Sequence, residues 1–364
     1  MAERTCGRWV PLGTTMSNSN ILLVDVDSQI PNLALMKISA HHRARGDEIT
    51  VKKLGISYFP TRKKQIQTVY VDGYDEVYVS AIFPESSKSF CLTLEHPRIP
   101  ADGTYLDTEG KMPRVYKGGT GFDLQTKLPE KIECMRPDYS IYPEGNTSYG
   151  FLTRGCSRRC SFCIVYEKEG HIRLDTALED IVQHKQVKFL DNNILMHPEH
   201  MNLLAQIKNA GIRCQFNQGL DIRCITDENA KALSELRYLG NYIFAFDWLS
   251  EEAKVAKGLS IFKKYVSEPW RTKFFVYCHP DMDIAADVVY RCEWLRKHEA
   301  LPYVMRDISC WASENSDFYI DFCAYTNQPN LFKKMSFAEY IAKRQPKNVA
   351  RREKSLSLYQ GSEG

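Results

Sequence analysis

Between Tyr149 and Ile308 the chain repeats one rhythm: a short apolar run that reads as a strand, then a stretch with helical spacing. The runs are YGFLTR, VKFLD, IRCQFNQ, YIFAFD, KFFVYC and PYVMRDI. Helices are expected near Leu174 to His184, Glu199 to Asn209, Asp227 to Tyr238, Ser250 to Tyr265 and Ala285 to Lys297. A helix that joins two parallel strands crosses over right-handedly almost without exception, so successive units curl the same way. Six units are too few for a closed eight-stranded barrel, and the pattern predicts a partial (β/α)6 barrel of the TIM type over residues 145–308. Functional groups on such a scaffold sit at the carboxyl ends of the strands.

A second α/β pattern precedes it. Ile21 to Val26 is a β-branched apolar run of the kind that makes a buried parallel strand, and Leu33 to Arg45 has helical spacing. The runs ITVKKL, EVYVSAI and RVYKGG add three more strands, which predicts an open parallel α/β domain over residues 21–137. Residues 1–20 are polar and aperiodic and read as a loose leader, and the Pro- and Gly-containing stretch RPDYSIYPEGNTS reads as the linker. The C-terminal extension, residues 309–364, weakens in pattern, and its segment KRQPKNVARREKSLSLYQ reads as a solvated basic tail.

The 364 residues suffice for two domains, and 43% hydrophobic with 26% charged residues argues against gross disorder. A net charge of +3 neither demands nor excludes a nucleic-acid partner. No window approaches the roughly 20 apolar residues of a membrane span. The N-terminal stretch also lacks a secretory pattern, so no membrane partner and a cytoplasmic location are expected. Of twelve cysteines, most stand singly in apolar segments (Cys91, Cys214, Cys224, Cys278, Cys292, Cys310, Cys323) and read as small buried hydrophobes.

Three cysteines are clustered. Cys156, Cys160 and Cys163, spaced C-x3-C-x2-C, directly follow the first barrel strand. Thiolates on such a loop wrap one metal centre, and soft sulfur selects zinc or iron–sulfur. Structural zinc asks for four protein ligands; no second cysteine pair follows, and His171 is the nearby residue with a suitable side chain. Three thiolates on a four-iron cube leave one iron open to something other than protein. Arg154, Arg158 and Arg159 flank the loop, either to offset the cluster's charge or as a solvated surface.

This motif, with Phe162 before its last cysteine and a partial barrel around it, resembles the radical S-adenosylmethionine (SAM) superfamily. The resemblance implies a 4Fe-4S cluster on Cys156, Cys160 and Cys163 and SAM bound at the open iron. It also implies an external electron donor such as flavodoxin or ferredoxin, and a 5′-deoxyadenosyl radical that takes hydrogen from a small molecule, peptide or RNA. An acidic residue after a glycine-rich second strand end usually holds the SAM amino group there. This chain has FLDNN instead, so the role falls to Asp191, Asn192 or Asn193, or the three simply cap the strand. By the same resemblance Gln218, Asp221 and Arg223 at the third strand's end meet the SAM carboxylate or ribose, with Arg223 preferred for its bidentate fork. Asp247 and His279 take the equivalent positions on strands four and five, as ligands or as helix caps. Met305 and Arg306 end strand six, beside the expected adenine.

The preceding α/β domain resembles the cobalamin-binding-like domain of one branch of that superfamily, through the segment from Ile21 to Ile49 and through GGTG, Gly118 to Gly121. The cobalt-binding Asp-x-His-x-x-Gly signature is missing from DVDSQIPN, so cobalamin, and with it methyl transfer, stays open. The competing reading is a zinc- or iron–sulfur-organised nucleic-acid-binding module whose tail, Lys343 to Lys354, contacts phosphate without SAM turnover.

Overall fold

A computed structural model describes residues 18–56, 66–94 and 113–361. The chain divides into two compact units, Met1–Asn146 and Thr147–Gly364. Both are α/β with parallel sheets. Most of the expected leader lies outside the described residues.

In the first unit β1 (Asn20–Asp25), β2 (Glu48–Lys53), β4 (Glu76–Ser80) and β6 (Arg114–Gly118) form one parallel sheet in the order β2-β1-β4-β6. A separate parallel pair, β3 (Gln67–Tyr70) with β5 (Phe90–Thr93), was not foreseen. β1 is buried on both faces: Leu22 and Val24 pack with Val69, Val77 and Val79, while Ile21 and Leu23 pack with Leu35 and Ile38 of α1 (Leu33–Ala44). That two-sided burial is why its sequence reads as a continuous apolar run. Asn32 starts α1 by accepting the Leu35 N–H at 3.2 Å.

In the second unit β7 (Thr147–Gly150), β10 (Gln186–Phe189), β11 (Arg213–Phe216) and β12 (Arg237–Tyr238) form one parallel sheet, and β13 (Tyr242–Ala245), β14 (Thr272–Cys278) and β15 (Leu301–Arg306) form another. Across the seam between the two sheets the Leu220 N–H, just after β11, donates to the Ile243 carbonyl of β13 at 2.7 Å. β8 (Thr153–Arg154) and β9 (Arg173–Leu174) make a small antiparallel ladder. Helices α2 (His200–Asn209), α3 (Asp227–Ser234), α4 (Glu252–Lys263) and α5 (Tyr290–Lys297, entered through a π-helical stretch Ile284–Val289) connect the strands. Their apolar faces share one core with Val187, Phe189, Phe216, Phe244, Phe274 and Val276. Each such fully buried aromatic contributes about 1.5–3 kcal/mol.

Two expectations are corrected. The helix expected from Leu174 to His184 shrinks to one turn, Leu178–Ile181, because Leu174 pairs in the β8–β9 ladder and the Ser148 hydroxyl accepts the Gln183 and His184 N–H groups at 2.9 Å. The segment expected as a solvated tail is largely exposed but helical, and the extension before it is packed. The C-terminal extension folds into α6 (Ser316–Thr326), α7 (Pro329–Lys334), α8 (Phe337–Arg344) and α9 (Val349–Gln360), packed around Phe318, Phe322, Tyr325 and Phe337. Buried Asp321 accepts from Arg344 at 3.0 Å and from Arg351 at 2.9 Å, and Lys354 donates to the Glu314 carbonyl at 2.7 Å. Arg344, Arg351 and Lys354 are thus engaged, while Lys343 and Lys347 stay exposed.

Candidate functional site at the strand ends

The cysteine loop leaves the carboxyl end of β7 and is closed at its base by the β8–β9 ladder. Gly155 turns the chain with φ of 86°, and a Cβ there would lie 2.5 Å from the His171 carbonyl oxygen, so only glycine fits. The Cys156 N–H donates to the Gly170 carbonyl at 3.1 Å, and the Cys163 N–H to the Cys160 carbonyl at 3.0 Å. Phe162 stacks on Tyr277 of β14 with centroids 4.1 Å apart and leans on Trp248 at 6.1 Å, which pins the loop over the ends of β13 and β14. Arg291 of α5, fully buried, holds those ends by donating to the carbonyls of Phe246 (2.7 Å) and Tyr277 (3.0 Å).

The three thiols feel one another. Burial, then Cys163 and Asp247, pushes the Cys160 thiol up, and burial, with Cys156 and Asp247 adding, does the same to Cys163. Such thiols keep their protons until a metal takes the charge. Among the described residues no three His, Cys, Asp or Glu side chains gather as around a metal ion. Both His171 ring nitrogens meet hydroxyls, Tyr166 at 3.1 Å and Ser157 at 3.4 Å, which leaves neither turned to a metal as a fourth ligand.

The DNN segment after β10 divides its labour. Asp191 is fully buried and accepts from the Leu152 N–H (3.2 Å), the Thr153 N–H (2.6 Å) and the Thr153 hydroxyl (2.7 Å). Asn192 accepts the Gly155 N–H at 3.0 Å. Both therefore hold the loop's entry rather than face a ligand. Asn193, 5% exposed, donates to the Cys156 sulfur at 3.7 Å and to Asp221 at 3.3 Å, while its own carbonyl oxygen has no partner. A buried acceptor left empty beside a cluster thiol is costly unless a donor arrives.

Arg223 is not free to clamp a carboxylate. Its guanidinium donates to Asp221 at 2.7 and 3.1 Å and to Glu251. Arg158 donates to the same Asp221 carboxylate. Burial works against that carboxylate, and the two guanidiniums outweigh it and hold it below the usual range. Arg154 bridges Glu169 and Asp175, and Arg159 stacks 4.3 Å over Tyr166, so the flanking arginines are already engaged. Asp247 accepts the Tyr277 N–H at 3.2 Å, and burial pushes its carboxyl up to about 6. Gln218 and Met305 are exposed at the ends of their strands. Arg306 lies over Trp311 at 4.1 Å, and His279 folds back on its own loop, accepting the Asp281 N–H at 3.2 Å. Two lysines were not foreseen. Lys188 pairs in register with Tyr149 and Gln215, and Lys273 lies 4.4 Å over the Tyr303 ring; both sit on the strand face opposite the helix-packed core.

At the strand ends of the first unit, the chain fills the space with its own groups. Asp27 accepts the N–H groups of Ile82 (2.8 Å) and Phe83 (2.9 Å), Asp25 accepts from Ser28 and Tyr142, and Asn32 donates to Ser80 at 2.9 Å. The glycines of GGTG serve self-packing rather than a ligand, since a Cβ on Gly119 would meet the Ala81 carbonyl oxygen at 2.3 Å. Both nitrogens of buried His42 are taken, by Asp47 and Tyr78. These residues do not fit a corrinoid. Compared with known proteins, the chain matches no family model and no curated protein.

Proposed function

We propose that the chain is a radical SAM enzyme in which Cys156, Cys160 and Cys163 hold a 4Fe-4S cluster. The observation that carries the reading is the loop of Cys156, Cys160 and Cys163 pinned through Phe162 on Tyr277 over parallel strand ends, with the Asn193 amide on the Cys156 sulfur and its side-chain oxygen unpartnered. When bound, the cluster and SAM supply a reductive cleavage that yields a 5′-deoxyadenosyl radical for hydrogen abstraction.

The chain's own residues do the rest. Asn193 offers its carbonyl oxygen to the amino group of SAM, in place of the acidic residue of the resemblance. Asp221, locked by Arg158 and Arg223, accepts from the Asn193 amide NH2 and so fixes the orientation of that amide. Phe162, Tyr277 and Trp248 exclude water on one side of the thiols. Six parallel strands in chain order, β7, β10, β11, β13, β14 and β15, support the partial-barrel reading. The first unit is then a parallel α/β domain without cobalamin, and the cytoplasm suits a set of described cysteines that are all free.

Anaerobic reconstitution tests the proposal. The protein should take up about four irons and, with a reductant, release 5′-deoxyadenosine from SAM, and both should fail when the three cysteines become serine. Zinc uptake with no SAM turnover would instead favour the nucleic-acid-binding module.

A further inference from the structure

The starts of the strands carry a second concentration of charge. Arg213 opens β11 and Arg237 opens β12, and the two are direct partners in the parallel ladder. Arg271, just ahead of β14, reaches across and donates to the carbonyls of Tyr238 (3.2 Å) and Gly240. All three line one cavity of about 340 Å³ together with Tyr265 and Glu268. Like charges directly opposite on adjacent strands destabilise a sheet.

Little in the fold offsets them. The Arg213 side chain has no hydrogen-bond or ion-pair partner among the described residues, and Arg237 donates to the Gly211 carbonyl at 2.9 Å, which leaves its charge unneutralised. Glu268, 72% exposed, is the one carboxylate in the lining and pairs with Arg271 at 3.9 Å, which leaves Arg213 and Arg237 as the two without an acid. Arg213 and Arg237, two guanidiniums on one cavity with no carboxylate partner among the described residues, match an oligoanion carrying several oxygens in tetrahedral array.

We propose that this cavity is a binding site for a small oligophosphate, a diphosphate or triphosphate group whose charge replaces the missing counterion between Arg213 and Arg237. The site rests on neither the thiols nor SAM. Its substrate class is therefore independent of the chemistry at the opposite strand ends.

The test uses the full chain with inorganic pyrophosphate and tripolyphosphate, read by calorimetry and thermal unfolding. Pyrophosphate should bind one per chain and raise the melting temperature by about 5 °C at saturation. Arg213→Gln should weaken binding at least about tenfold, yet raise the melting temperature of the phosphate-free protein by about 1–3 °C, because it relieves the repulsion. That pair of opposite signs separates a ligand site from a merely structural arginine. The cysteine-to-serine chain should bind pyrophosphate as wild type does, which keeps this result apart from the fate of the radical SAM reading. The proposal is overturned if neither phosphate binds, if Arg213→Gln and Arg237→Gln bind as wild type does, or if single-stranded RNA binds more tightly than tripolyphosphate through the same arginines.

Discussion

Replacing Asp191 by asparagine probes how the entry to the cysteine loop is held. Burial pushes this carboxyl up from 3.8 to about 7, against the hydrogen bonds it accepts from Thr153 and Leu152. Its folded value lies above its unfolded one, so the native protein keeps a proton that the unfolded chain has released. The associated stability is complete at low pH and is lost as pH rises towards 7. Over the two units from about pH 5 to about pH 7 the wild type should lose roughly 2–3 kcal/mol from this group. In Asp191→Asn the amide oxygen still accepts from Thr153, but the amide NH2 meets the Leu152 N–H, a cost of about 1–3 kcal/mol. The wild type should therefore be the more stable of the two at about pH 5, and the gap should close or reverse by about pH 8. Urea unfolding followed by tryptophan fluorescence reads the right unit, since Trp248, Trp270, Trp294 and Trp311 all lie in Thr147–Gly364. A stability difference that stays constant across that pH range would show that the carboxyl ionises as freely folded as unfolded, and would refute the reasoning.

Two further outcomes follow from single contacts. Gly155→Ala places a methyl 2.5 Å from one carbonyl oxygen and 2.7 Å from another, so iron uptake should fall by more than half, measured as iron per chain after anaerobic loading. Asp321→Ala takes the partner from Arg344 and leaves Arg351 with Asp317 alone, and should cost about 1–3 kcal/mol, seen as faster hydrogen exchange in α9.

The strands were legible where burial is two-sided. NILLVD is apolar enough to be read without a structure, because both faces of the strand are covered. β12 was hidden, since Arg237 and Tyr238 continue the helical spacing of α3. α8 carried a readable start, the Ser336–Glu339 capping box, but the lysines and arginines after it outweighed that signal. At the site, C-x3-C-x2-C marked the loop to examine through its spacing. The roles within DNN were not readable, because which of three adjacent polar residues faces the loop depends on how the chain bends after β10. Arg223 looked like a free fork because the sequence does not show that nearby Asp221 and Glu251, 28 residues away, together take its donors. The GGTG glycines looked like a ligand cradle for the same reason: the backbone they approach, Ala81, belongs to a distant strand end.

Mössbauer spectroscopy of protein loaded with iron-57 reads the cysteine loop most directly. The account expects one iron of the cube to differ from its companions and to change its isomer shift when SAM is added, while the cysteine-held irons stay as they were. A spectrum in which every iron is alike and indifferent to SAM would contradict it.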